Sequence, residues 1–395
     1  MTTQPLQIET IEQILATATS QSEAALKLNR VSKQLLRKDA QAALNYAQKA
    51  QELAETLQQK DLLAESFTNI GSAYFNLSKY DKALDYGYRA LQLYEDLSTT
   101  PSKALAMQVI GSVNLYLGEY DQAHYYFEQA AQIFERSNEQ HAHSIALMNI
   151  GSTYLYQGNY QHALQYYFKA KSIQEANRDE SNIPEILANI GATYHALGNS
   201  EEAIEWLNQS SERAKQQENL LVQIATLINL GEIYSAVGRD YKAIDVLLEG
   251  IELAKSKDEY KQYLWQAYLN LSNAYKKVEK YREALEAHEQ FVQVKEKVLG
   301  LETERKIKAI ELNYAVQKAK HEAQMQTAQN RIKQLENIVT MCAWSGKIRM
   351  DGKWVKIEEF LSKRFGISVS HGISEEEAEK ILKRINNESQ SGETP

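Results

Sequence analysis

Proline and cysteine are scarce in this chain: 395 residues hold four prolines and a single cysteine, Cys342. One cysteine excludes an intrachain disulfide framework, and so few prolines leave long stretches open to uninterrupted helix. No stretch of about 18 apolar residues is present to span a membrane. The opening residues, MTTQPLQIETIEQ, have neither the basic nor the apolar region of a secretory signal. Basic charge is not in excess, since 44 Lys and Arg face 52 Asp and Glu for a formal net charge of −8. Neither nucleic acid nor an acidic membrane surface is therefore an expected partner. A Gly-rich phosphate-cradling loop is also missing, and the residues after Thr340 are too few for a catalytic domain. These absences lead to the expectation of a cytoplasmic, non-enzymatic protein without a cofactor. What remains is 43% apolar and 24% charged, the balance of a soluble protein with a substantial core.

The chain repeats itself every forty residues. Glycines stand at Gly71, Gly111, Gly151, Gly191 and Gly231, each preceded by Ile or Leu. Three residues after the glycine come Tyr74, Tyr154, Tyr194 and Tyr234, with Asn114 as the exception. Twelve after it come Ala83, Ala123, Ala163, Ala203 and Ala243, and nineteen after it Ala90, Ala130, Ala170, Ser210 and Gly250. The columns continue through Leu271, Ser272, Tyr275, Ala284 and Phe291 after a one-residue insertion, and backwards through Asn29, Ala43, Tyr46 and Ala50. Seven units result, starting near residues 24, 64, 104, 144, 184, 224 and 265. Each reads as two helices, with apolar residues three and four apart on both sides of a turn such as Gln157-Gly158-Asn159. Gly118, Gly158, Gly198 and Gly238 suit a left-handed helix stop. The glycine inside the first helix instead allows close approach of its partner helix.

These columns resemble the tetratricopeptide repeat: in the fourth unit, Leu147, Ile150-Gly151, Tyr154, Ala163, Tyr167 and Ala170. The family period is 34 residues, and longer second helices and inter-repeat loops account for the excess. The resemblance covers residues 24–300. It implies an all-α helical-hairpin solenoid whose first helices line a concave groove for a protein or peptide partner.

One column is a candidate for that contact. Two residues before the glycine stand Asn69, Asn149, Asn189 and Asn229, with Asn270 and Asn29 in the outer units and Val109 in the third. Forty-residue repeats of kinesin light chains and spindle-orientation adaptors carry asparagine in this column, which implies an amide ladder gripping an extended backbone. Equally, each amide could satisfy groups within or between repeats, and the sequence leaves both readings open. Tyr116, Tyr156 and His195 are further groove candidates. Groove positions are apolar and hydroxylated early in the array (Ser72, Phe75, Ser112, Leu115) and more polar later (Glu232, Asn273, Lys276). Co-chaperones of this family that bind carboxylate tails place lysine where Thr68, Gln108, Met148, Ala188, Ile228 and Leu269 stand here, so a chaperone-tail clamp is not expected. Most of the 24 tyrosines fall on packing columns. His141 and His143 lack a third ligand nearby, so no metal site is expected.

Residues 1–23 read as a helical or flexible leader, too short for a helix-turn-helix. Residues 301–340 read as one long helix in which Leu312, Val316, Ala319 and Ala323, then Met325, Ala328, Ile332, Leu335 and Val339, alternate by three and four. That is a coiled-coil seam with a stutter, so a homodimer through 301–340 is expected, the alternative being a single helix that caps the solenoid by folding back on its last repeat. The segment is also similar to the connectors of bacterial sensor proteins. Residues 341–386 read as a small α+β module with a hairpin at Asp351-Gly352, a helix over 355–364 and a strand over 367–370. A last helix starts near Ser374, and the tail 387–395 is disordered. The module resembles a four-cysteine domain of bacterial sensors at Cys342, Lys347-Ile348-Arg349, Gly352, Trp354 and Ser370-His371-Gly372. Ser345, Ser374 and Glu377 replace three of its cysteines. A metal-free module resting on Trp344, Trp354, Phe360, Phe365 and Ile367 follows. Taken together, the sequence reads as a signalling adaptor. The rivals are an accessory of a repeat-bearing kinase or cyclase system and a receptor of the peptide-pheromone kind.

Overall fold

The computed structural model describes residues 9–36, 38–95, 100–256, 260, 263–338, 347–350, 353–356, 359–360 and 362–363. The chain forms two compact units, residues 1–314 and 315–395.

In the first unit, a short leader helix, α1 (Ile11–Thr17), is capped reciprocally by Thr10 and Gln13. Its Ile14 is buried among Ala24, Leu28 and Ala50, which ties residues expected as a leader onto the first repeat. Among the described residues seven helix pairs follow: α2 (Gln21–Leu35) with α3 (Ala40–Leu57), α4 (Lys60–Asn76) with α5 (Tyr80–Glu95), and α6 (Pro101–Leu117) with α7 (Tyr120–Arg136). Next come α8 (Gln140–Tyr156) with α9 (Tyr160–Ala176), α10 (Ile183–Ala196) with α11 (Ser200–Gln216), and α12 (Leu220–Ala236) with α13 (Asp240–Lys255). The last pair is α14 (Leu264–Lys277) with α15 (Tyr281–Ile338). This is the helical-hairpin solenoid that the columns imply.

Packing explains the columns. A methyl group on Gly151 would meet the ring of Tyr167 at 2.8 Å, and one on Gly231 would meet Leu247 Cγ at 2.4 Å. The side chain sixteen residues on occupies the space that the glycine leaves. At the hairpin turns, Gly158 (φ 77°) closes α8 with two hydrogen bonds, from its own N–H to Leu155 O and from Asn159 N–H to Tyr154 O, a Schellman arrangement. The far ends of the second helices repeat that geometry without glycine, with Arg178 and Glu218 both at φ 55°.

Polar clips tie α8, α9 and the loop leading to α10 together. Gln174 Nε2 donates to Ser144 Oγ at 2.7 Å, and His141 Nδ1 lies 2.6 Å from Asp179. Desolvation opposes ionisation of Asp179, but hydrogen bonds from Ser181 and His141 outweigh it and hold this carboxyl below its ordinary range.

Helix α15 runs unbroken from Tyr281 to Ile338 through Gly300. The boundary expected at residue 300 thus falls inside one helix. A lone glycine costs only about 1 kcal/mol there, and no proline follows to end the helix.

In the second unit, after the remainder of α15, β1 (Lys347–Met350) and β2 (Lys353–Lys356) pair antiparallel from Met350↔Lys353 to Lys347↔Lys356. That register places the connection at residues 351–352, as the Asp-Gly signal implies. Val355 and Lys356, expected to open a helix, belong instead to β2. Trp354, expected in the module's core, is 45% exposed, while Phe360 is buried. Cys342, Trp344, Ser345, Gly352, Phe365, Ile367, the Ser370-His371-Gly372 stretch, Ser374 and Glu377 lie outside the described residues.

Candidate partner-binding face of the repeat array

The asparagine column divides into two kinds of environment. At the amino-terminal end its amides serve the array itself: Asn69 Nδ2 donates to both the backbone carbonyl and the side-chain oxygen of Asn29 at 3.2 Å. Asn29 Nδ2 in turn donates to Ser66 Oγ at 3.1 Å, and both asparagines are buried. Further along, Asn149, Asn189 and Asn229 are half-buried on the first helices α8, α10 and α12, and their side-chain amides make no hydrogen bond among the described residues. In the last repeat, Asn270 accepts from Gln266 Nε2 at 3.2 Å. Its own Nδ2 is buried without an acceptor among the described residues.

Asn270 lines an open cleft of about 370 Å³ between α12 and α14, together with Glu232, Ser235, Asn273, Lys276 and Lys277. Lys277 Nζ donates to Ser235 O and lies 3.7 Å from Asp240. His195, on α10 of the fifth repeat, is partly buried, and its Nδ1 has no partner among the described residues. Tyr156 is 64% exposed, its ring parallel to that of Tyr120 with centroids 6.4 Å apart. Tyr116 stacks on Tyr80 at 3.9 Å and is covered by Lys306, whose ammonium lies 4.7 Å from the ring centroid. A cation over an aromatic face is attractive. Of the candidates, Tyr116 is therefore already occupied by the chain itself.

The structure also brings together residues that the sequence did not single out. Asn313 Nδ2 donates to Asn114 Oδ1 at 2.9 Å, and Tyr88 OH donates to Asn313 Oδ1 at 2.9 Å. Ala309 is fully buried in the same cluster, and Leu312 packs beside it. Burial beside Tyr88 pushes the Tyr126 phenol well above its ordinary range. Residues 305–314 of α15 thus seat on the second and third repeats. Leu312, the first position of the expected coiled-coil seam, already has a partner within its own chain.

No helix among the described residues is long and apolar enough to cross a membrane. Comparison with known proteins bears out the repeat pattern. Residues 62–136, 103–176, 142–216 and 182–256 match one family model described as tetratricopeptide repeat, and residues 266–304 match a second of the same description. No curated protein matches the chain. Among solved structures, a Rap protein complexed with competence and sporulation factor is 16% identical with a TM-score of 0.58, covering 73% of this chain and 80% of that one. The apo form of RapI is 15% identical with a TM-score of 0.53, covering 70% and 99%. NprR in complex with its cognate peptide NprX is 17% identical with a TM-score of 0.53, covering 70% and 81%. At these identities the likeness is one of fold.

Proposed function

The chain belongs to the tetratricopeptide-repeat proteins, and on that premise we propose that it is a cytoplasmic, non-enzymatic adaptor of bacterial signalling that holds an extended peptide segment along the first helices of its fourth to seventh repeats. The observation that carries the reading is the state of one column. Asn149, Asn189 and Asn229 recur at forty-residue steps with half-buried amides that the array leaves unengaged, and Asn270 adds a buried Nδ2 without an acceptor. A buried donor without a partner is costly, and a peptide carbonyl would satisfy it. An amide offers one acceptor and two donors, so a ladder of them grips a backbone regardless of its side chains. Tyr156 and His195 would then contact side chains along the path. The Rap and NprR neighbours, solved with competence and sporulation factor and with a cognate peptide, support a peptide as the class of ligand, which also favours the receptor reading over that of an enzyme accessory.

The test is anisotropy of fluorescein-labelled peptides, apolar at one end and polar at the other, screened on the full chain. Replacing Asn149, Asn189 and Asn229 by alanine is expected to weaken the best binder at least about tenfold, since each lost hydrogen bond is worth roughly 1 kcal/mol. Undiminished binding by the triple variant would sink the proposal.

A further inference from the structure

Asn114 is the one departure from tyrosine among the five glycine-bearing repeats at the position three after the glycine. Where the tyrosine is present, it fills the space between consecutive second helices. The Tyr154 ring lies 5.3 Å from His124 on α7 and 5.6 Å from Tyr166 on α9. Asparagine lacks the ring, so the corresponding place between α5 and α7 is a notch. The positions two before and three after the glycine are five residues apart, about 140° around a helix of 3.6 residues per turn. The notch therefore opens away from the asparagine column.

What fills the notch comes from 199 residues downstream. Ala309 enters without exposed surface, and Asn313 completes an amide chain. It accepts from Tyr88 and donates to Asn114, while Asn114 Nδ2 donates to Ile110 O at 2.9 Å. Lys306, Ala309 and Asn313 are three and four residues apart and so share one helical face. On the strip next to that face, Ile307, Ile310 and Tyr314 stay about half exposed or more. The notch selects by chemistry: a small residue where tyrosine would stand elsewhere, and an amide one turn later.

In a solenoid each repeat ordinarily touches only its neighbours. Helix α15 begins as the second helix of the seventh repeat, and Asn313 lies roughly 48 Å further along it at 1.5 Å per residue. One continuous rod therefore connects the seventh repeat with the second and third.

We infer that residues 305–314 are a latch: they are the resident occupant of the Asn114 notch, and by tying the seventh repeat to the second and third they fix the curvature of the groove. The notch and the asparagine column lie on different faces, and Lys306 covers Tyr116 in the third repeat, outside the path proposed along the fourth to seventh. The latch and a ligand on that path therefore communicate through curvature rather than by competing for surface. A ligand that changes the bend of the array strains the rod or frees it. The inference does not depend on the asparagine column binding a peptide.

Hydrogen–deuterium exchange on the full chain tests it. Asn114→Tyr restores the residue of the other repeats and closes the notch. Amides of residues 305–314 are then expected to exchange at least about tenfold faster, with the fourth to sixth repeats unchanged, because a freed helix end is marginal in water. Asn313→Ala, which lies outside the repeats, should act in the same direction and carries the test if Asn114→Tyr disturbs the array. Unaltered exchange of 305–314 in both variants overturns the latch. In a Cys342→Ser background, Tyr88→Cys with Asn313→Cys should be bridged within one chain by a short thiol cross-linker. No bridge, or a bridge only between two copies, overturns it as well.

Discussion

Two glycines that hold the same place in the repeat should respond oppositely to alanine. At Gly231 a methyl carbon would stand 2.4 Å from Leu247 Cγ and 2.6 Å from its Cδ2. Leu247 is fully buried and the clash reaches the branch point of its side chain, so it cannot swing clear. Such overpacking costs about 1–3 kcal/mol, partly offset by the roughly 1 kcal/mol that alanine gains over glycine in a helix. With the clash at the branch point of a buried side chain, the upper part of that overpacking range applies, about 2–3 kcal/mol, so Gly231→Ala should destabilise by about 1–2 kcal/mol net. At Gly71 the nearest atoms, Ala83 O and Val109 Cγ1, are both 3.3 Å away, because the facing position holds Gly87 instead of a large side chain. There the propensity gain should balance or exceed the crowding, giving a change between zero and about 1 kcal/mol of stabilisation. Thermal unfolding followed by circular dichroism reads the difference, at about 2–4 °C per kcal/mol for a chain of 150–250 residues and less for a longer one. Repeat arrays need not unfold in one step, so exchange rates of α4 and α12 amides give the local value. Leu247→Ala alone should cost about 2–5 kcal/mol, and combining it with Gly231→Ala should cost less than the sum. If Gly71→Ala proved as damaging as Gly231→Ala, the packing account of the glycine column would be wrong.

The asparagines should separate in the same way: Asn69→Ala strands the buried Asn29 Oδ1 and should cost about 1–3 kcal/mol, whereas Asn149→Ala should stay within about 0.5 kcal/mol in the same unfolding assay. Arg178→Gly and Glu218→Gly relieve left-handed backbone at φ 55° and should each stabilise by up to about 1 kcal/mol, seen as a raised Tm. Burial holds the His143 imidazole below its ordinary range, so it is neutral in the native state while the unfolded chain takes up a proton near pH 6.5. Its contribution is complete above that pH and declines as the pH falls from there towards the folded value. His143→Gln should flatten the fall in urea midpoint between pH 7.5 and 5.5.

Most of the fold was legible because the forty-residue columns are packing constraints repeated seven times, so composition cannot mimic them. Element ends were less so. Nothing at Gly300 distinguishes a helix boundary from a glycine tolerated mid-helix, and the structure passes through it. Val355 and Lys356 carry both strand and helix signals, and the pairing with Ile348 and Lys347 decides for strand. The asparagine column was visible, but which amides face inward was not. Asn69 and Asn149 share a register, yet Asn69 bonds the asparagine one repeat upstream, while Asn189 and Asn229, which also follow an asparagine by one repeat, make no such bond among the described residues, so the column by itself does not decide.

The positions where the columns fail are the more informative ones. The notch at Asn114 was recorded in the sequence as one missing tyrosine, but a repeat pattern scores such a residue as noise, since it asks only whether neighbours can stack. Likewise, the spacing of Leu312 and Val316 on α15 establishes that this helix face has a partner without saying which. Amphipathicity is a statement about one surface, and a second copy, the host's own repeats or a foreign helix would all satisfy it. Asn313 decides the matter for residues 305–314. A buried amide needs a matching donor and acceptor at fixed distance, and Tyr88 and Asn114 supply both. A polar exception in the array and a polar exception on the helix face are therefore one feature, and pairing such exceptions is the route by which sequence could have found the contact.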